Sequence, residues 1–240
     1  MRYLFILVAL LVPVVAQADD LSEDRVKELV LEAIRENPGI VMEAVEILRQ
    51  REQVAQAEAI TSVLERNRDT LDNDPNAPVL GNPEGDVTVV EFFDYNCPYC
   101  RKAKPEIEAL LEADPNVRLV YREWPILGEG SVFAARAALA SRNQDKYEEF
   151  HWALMGMQGR AEEASVLRIA EQVGLDTAQL LEDMDSGEID EHIATSMRLT
   201  KELGFSGTPS FVIGDALVPG VIEANQMISL VDAVRKEQQE

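Results

Sequence analysis

The chain has 240 residues, with 44 acidic side chains against 22 basic ones and a formal net charge of −22. Such a balance argues against nucleic acid, whose phosphates need lysine and arginine contacts, and it disfavours anionic membrane surfaces. Hydrophobic residues make up 46% of the chain, enough for the core of one sizeable domain plus an extension without disulfide staples.

Residues 1–18 have the pattern of a secretory signal peptide. Met1-Arg2 is a short positive start, Tyr3 to Val15 is apolar, and Ala16-Gln17-Ala18 has the small-x-small form of a cleavage site. The apolar run is too short for a comfortable membrane span. Export would place the cysteines where disulfides form and persist.

Residues 19–74 read as a helical extension without aromatic residues or cysteine. Ser22 can cap a first helix, in which Val26, Leu29, Val30, Ala33 and Ile34 share one apolar face. Asn37-Pro38-Gly39 breaks it. A second pattern carries Val41, Ala44, Val45 and Leu48, then Val54, Ala55, Ala59, Ile60, Val63 and Leu64. Its apolar face fades over 49–53. This stripe can fold back on the rest of the chain or meet copies of itself, and self-association is the favoured reading. Residues 72–83, rich in Asp, Asn, Pro and Gly, read as a linker.

Residues 75–240 read as an α/β domain. Val87 to Phe93 is a β-branched and aromatic strand. A helix is predicted from Pro98 to Ala113 and a second strand over 117–121. This strand–helix–strand unit implies parallel pairing with a right-handed crossover. A helical stretch follows over about 131–203, broken near Gln144, Gly159, Gly174 and Gly187. Short strands at 210–213 and 216–218 flank Gly214-Asp215, a hairpin signal. A closing helix runs over 222–236.

Between the first strand and its helix stand the two cysteines of the chain, as Cys97-Pro98-Tyr99-Cys100. A bridge across so short a loop constrains little, so the pair reads as a dithiol that is repeatedly oxidised and reduced. Helix N-terminal amides stabilise an anion, and Pro98 suits the first helical turn. Cys97 is therefore the reactive thiolate, attacking a substrate disulfide, and Cys100 the resolving thiol. Structural zinc needs a full tetrahedral set, and the chain offers only His151 and His192 besides, both remote in sequence. Cu(I) suits soft thiolates, so Cys97 and Cys100 are also a candidate Cu(I) pair. Otherwise no cofactor is expected beyond the Cys97–Cys100 disulfide itself. Glu91 lies in the strand leading to Cys97. Turned inward it would relay a proton to Cys100; turned outward it is an ordinary strand residue. Gly207-Thr208-Pro209-Ser210-Phe211 places a proline at the start of a short strand, a special turn in either isomer.

The strand Val89 to Phe93, the Cys97-Pro98-Tyr99-Cys100 helix start, the Thr208-Pro209 loop and the mid-chain helices together resemble the DsbA-like branch of the thioredoxin superfamily. Within it, the Phe-Phe-Asp-Tyr-Asn run before Cys97 and the N-terminal helices are most similar to the ScsC (suppressor of copper sensitivity) and Com1-type proteins. The resemblance implies a thioredoxin fold with a helical insertion, preceded by the α-helical extension. It implies a periplasmic thiol–disulfide oxidoreductase with Cys97 as nucleophile, Cys100 as its partner and Glu91 at the family's buried acidic position. A cis Thr208–Pro209 peptide would offer backbone groups to an extended substrate. Tyr99 stands where the strongest oxidases have His and brings no positive charge, and Thr208 is more isomerase-like. Pro98 and Tyr99 would thus tune the couple toward a disulfide isomerase or reductase, with a monomeric oxidase and a Cu(I)-binding copper-tolerance protein as alternatives. The partners implied are cysteine-containing exported proteins, a membrane redox protein of the DsbD or DsbB kind, and further copies of the chain, a trimer favoured, through residues 19–74.

Overall fold

The computed structural model describes residues 22–239, so the expected signal peptide lies outside the described residues. The chain divides into two compact units, Met1–Gln56 and Ala57–Glu240.

In the first unit, α1 (Glu23–Glu36) is capped by Ser22, whose hydroxyl accepts from the Arg25 amide, and it ends at Asn37. Helix α2 begins at Gly39 and runs unbroken to Asn73, through the 49–53 stretch where the apolar face fades. Up to Gln56 no residue of either helix is buried; Val26, Leu29, Val30, Ile40, Met42 and Leu48 are exposed.

The second unit begins inside α2, which corrects the expected boundary at 74/75. Leu64, Asn67 and Leu71 fall on one helical face and are buried. Leu64 and Leu71 pack with Val90, Phe92, Val120, Leu199 and Val212, on one face of a sheet. The expected linker over 72–83 is likewise held. Val79–Gly81 forms strand β1, and Ala77 is buried. Arg122 bonds the Asp74 carboxylate at 2.6 Å and also the Thr70 carbonyl. Arg118 bonds the Asp72 carbonyl, and Arg142 bonds the carbonyls of Pro75 and Asn76 at 2.9 and 2.7 Å. Arg118 and Arg122 thereby satisfy carbonyls that the end of α2 leaves open.

The sheet has the order β1-β3-β2-β4-β5. Strand β2 (Val87–Phe93) pairs in parallel with β3 (Val117–Glu123), as expected, and α3 (Pro98–Ala113) makes the crossover. Strand β4 (Ser210–Ile213) pairs antiparallel with β2 and with β5 (Ala216–Pro219), and β1 pairs antiparallel with β3. Alternation gives the sheet two faces. Val90, Phe92, Val120, Arg122 and Val212 meet the end of α2 and the 199–205 region. Val89, Phe93, Leu119, Tyr121 and Phe211 meet the larger core, which holds both cysteines. The helical insertion comprises α4 (Glu129–Ala140), a 3-10 turn at Ser141–Gln144, α5 (Tyr147–Met155), α6 (Glu163–Gln172), α7 (Thr177–Asp183) and α8 (Gly187–Glu202). Helix α9 (Ala224–Glu237) closes the chain beside α3, with Arg235 bonding Asp86 and Asp114.

Candidate active site

Cys97 is the N-cap of α3, with an extended backbone, and Pro98 opens the helix. Pro98 loses no hydrogen bond there, because the first amides of a helix have no internal partner. The four-residue spacing brings Cys100 one turn on, into the core. Both thiols are free; Cys97 keeps 4% of its surface exposed and Cys100 none. Tyr99, between them in sequence, is 62% exposed.

The two thiols differ sharply. The hydrogen bond from Cys100 brings Cys97 down to about 5 against the opposing effect of burial, helped by Thr208 and the amides of Cys100 and Tyr99. Cys100 moves up, first by burial, then by that same hydrogen bond and by the nearby Glu91 charge. One cysteine is held ionised and the other as a thiol.

The Thr208–Pro209 peptide is cis. The Cys97 thiol reaches the Thr208 carbonyl oxygen at 3.2 Å, so the loop and the cysteine pair share one site. Ser210 ties the loop by donating to the Gly207 carbonyl at 2.7 Å, and the Gly220 amide donates to the Pro209 carbonyl at 2.8 Å.

Glu91 turns inward. It is fully buried between Tyr121 and Phe211 in register, and neither carboxyl oxygen has a hydrogen-bond partner. Burial, and then the negative charge of Cys97, push its carboxyl well above the usual carboxylate range.

Three residues that sequence reasoning did not single out hold the cysteine loop in place. Asp94 accepts from the amides of Asn96, Ile126 and Leu127 and from the Ser131 hydroxyl, at 2.7–2.9 Å. Its carbonyl receives the Cys97 amide. Asn96 exchanges two bonds with the Ala161 backbone. Arg101 donates to the carbonyls of Tyr95 and Gly159. Burial, then the Arg160 charge, lower its guanidinium, while the charges of Cys97, Asp94 and Cys100 act the other way. The available signal was Asp and Asn in the turn before Cys97, residue types that bond nearby backbone.

His151 and His192 are buried and lie in different surroundings. His151 sits among Phe93, Tyr95, Tyr121, Tyr147 and Trp152. His192 contacts Glu123 at 2.8 Å. Among the described residues no cluster of three metal-ligating side chains occurs. As a resident Cu(I) site the pair fits poorly, because metal binds thiolate and Cys100 is held protonated in a buried position.

The chain resembles several known proteins. A thioredoxin-like oxidoreductase from Silicibacter pomeroyi DSS-3 is 71% identical with a TM-score of 0.70, covering 71% of this chain and 98% of that one. Proteus mirabilis ScsC in a compact conformation is 27% identical with a TM-score of 0.69, covering 91% of this chain and 100% of that one. The Na(+)/H(+) antiporter NhaA 3 of Salinispora tropica is 34% identical over 137 residues, which is 56% of this chain and 21% of the antiporter. The chain thus spans about a fifth of the length of the curated relatives it matches first. Among the described residues no helix is long and apolar enough to cross a membrane. Residues 88–232, more than half of the chain, match the DSBA-like thioredoxin domain, and the chain belongs to that family.

Proposed function

We propose that this protein is an exported, periplasmic thiol–disulfide oxidoreductase that exchanges disulfides with cysteine-containing proteins. The observation that carries the reading is the placement of the pair, with Cys97 at the N-cap of α3 and its Sγ 3.2 Å from the Thr208 carbonyl oxygen, and Cys100 wholly buried one turn on. In the reducing direction the Cys97 thiolate attacks a substrate disulfide. A mixed disulfide forms and one substrate sulfur leaves as thiolate. With Cys97 tied up in the mixed disulfide its charge no longer opposes ionisation of Glu91; Cys100 gives its proton to Glu91 in its carboxylate form and attacks Cys97 Sγ, closing the Cys97–Cys100 disulfide and releasing the second substrate thiol. Oxidation of a substrate runs the same steps backwards. The backbone beside Pro209 gives an extended substrate its hydrogen bonds. Exposed Tyr99 gives it an apolar face.

Isomerase or reductase work in an oligomer is the favoured form. The apolar residues of α1 and early α2 lie exposed in the single chain, which suits association of copies, a trimer in our reading. An oligomer sets several Cys97 sites around one substrate. A DsbD-like membrane reductase would then keep the pair reduced; a DsbB-like oxidase belongs to the alternative oxidase reading.

Substituting Cys97→Ser is expected to abolish recovery of scrambled ribonuclease. Cys100→Ser should accumulate mixed disulfides seen on non-reducing gels, because the resolving step is lost. Full recovery by Cys97→Ser would sink the reading. Deleting residues 22–56 should give a monomer by light scattering, with an intact thiol domain and less isomerase activity. Deleting 22–74 should instead cost at least about 4 kcal/mol, because Leu64 and Leu71 leave the core. Full-length protein that is already monomeric would refute the oligomeric form.

A further inference from the structure

Glu91 must exchange its proton with something other than Cys100, yet it is fully buried and unpartnered. Its neighbour in register on β3 is Tyr121, and strand alternation puts both side chains on the face that carries the cysteines. The Tyr121 hydroxyl is also buried and unpartnered. Tyr121 packs on His151, with ring centroids 4.2 Å apart. His151 Nδ1 meets the Tyr95 hydroxyl at 3.0 Å, while Nε2 has no partner. Four orphaned polar atoms, on three side chains in sequential contact, therefore lie within one apolar core. Buried polar atoms in native proteins are paired, and a water molecule with two to four polar partners is the usual means.

Beyond His151 the polar chain continues. The Tyr95 hydroxyl hydrogen-bonds with Tyr147, whose ring stacks on His151 at 5.7 Å and 19°. The Tyr147 hydroxyl donates to Glu123 Oε1 at 2.5 Å. Glu123 Oε2 lies 2.8 Å from His192 Nε2, and that nitrogen accepts from the Glu123 amide at 3.2 Å. Tyr147 and His192 line a surface cavity of about 510 Å³, so this end of the chain reaches solvent.

We propose that Glu91, Tyr121 and His151 hold one buried water, and that the proton exchanged with Cys100 passes through it toward Tyr95, Tyr147, Glu123 and His192. The proposal rests on the role given to Glu91 above. When a substrate thiolate opens the Cys97–Cys100 disulfide, Cys100 leaves as thiolate and takes the Glu91 proton. The carboxylate left behind takes a proton from the bound water. The water is refilled by His151 Nε2–H, and His151 Nδ1 then receives a proton from the Tyr95 side. His151 ends in its other neutral tautomer, and a ring flip or a second transfer resets it. Burial, followed by the Lys104 charge, lowers His151 to about 3, so it passes protons without storing one. Once a second exchange releases Cys97 as a thiolate, its charge favours a protonated Glu91 and keeps the transferred proton there. Other titratable groups bear on this path. Lys104 of α3 lies over the Trp152 ring, Glu108 of α3 and Glu123 of β3 act on Tyr121, and Asp94 acts on Tyr95.

The test is single-turnover reduction of the oxidised protein by dithiothreitol, in H2O and D2O, across pH. Tyr121→Phe removes one hydroxyl and keeps the ring; His151→Asn is the second variant. Each is expected to slow reduction about tenfold at neutral pH and to raise the solvent isotope effect, with the equilibrium potential unchanged. Added to Glu91→Gln, Tyr121→Phe should cost nothing more. Glu91→Gln slow with both variants as fast as the unaltered protein would overturn the relay and leave the role of Glu91 standing. Glu91→Gln as fast as the unaltered protein would overturn that role as well. A slow variant whose potential shifts in proportion to its rate would also overturn the relay, since a path changes rate alone.

Discussion

The Cys97–Cys100 couple is expected to have a standard potential of about −185 mV. In thioredoxin a nucleophile near pKa ~7 accompanies about −270 mV, and in DsbA one near ~3.5 accompanies about −120 mV. Interpolating to a Cys97 thiol at about 5 gives the figure. It lies near the value of about −180 mV for protein disulfide isomerase and short of the strongest oxidases. The cause is stabilisation of the reduced state, because only the reduced protein carries a thiolate at the start of α3.

The same thiolate makes the reduced protein's stability depend on pH. The folded Cys97 thiol lies at about 5, below the ordinary thiol value of 9.0. Its contribution is therefore fully present above about pH 9, amounts to about 3 kcal/mol at pH 7, and is gone once pH has fallen through 5. The Cys97–Cys100 bridge closes too short a loop to add much stability to the oxidised form. Reduced protein should thus melt above oxidised protein at pH 7, and the gap should close toward pH 5. Glu91 is raised in the other sense, but its main cause, burial, acts in both oxidation states and largely cancels. Thiolate absorbance against pH, and titration in glutathione buffers, measure the two quantities. A midpoint near 9, or a potential below about −250 mV, would remove the basis of the argument.

Asp74→Ala is expected to destabilise the protein by about 3–5 kcal/mol, because it leaves the buried Arg122 charge without its partner. The Arg122 side chain is wholly buried and that of Asp74 nearly so. Burial pushes the Asp74 carboxyl up, but the Arg122 hydrogen bond, the Asn76 amide and the Arg122 charge outweigh it and leave the group lowered. Asp74→Ala combined with Arg122→Met should recover much of the loss, since an apolar pair carries no desolvated charge. Urea denaturation of the three variants provides the measurement. A single variant within about 1 kcal/mol of the unaltered protein would show that the 74–77 turn is not clamped as described.

The layout of the candidate site was legible because its signals are local. Cys97 and Cys100 at helical spacing, Pro98 in the first turn and a β-branched strand just upstream define a strand, a helix start and a dithiol from neighbours in sequence. The breaks at Gln144, Gly159, Gly174 and Gly187 likewise marked helix ends, since turn residues act where they stand. What the sequence left open depends on partners distant along the chain. Whether Glu91 faces in or out was decided by Tyr121 and Phe211 on flanking strands. The polar run from Asp72 to Asn76 reads as a solvated linker, and the same composition serves as well for acceptors held by Arg118, Arg122 and Arg142. Leu64 and Leu71 continue the helical stripe of the extension, yet only the sheet face opposite them assigns them to the second unit. Periodicity and turn chemistry travel a few residues along a chain; burial, ion pairing and proton paths arise only where the fold brings remote residues together.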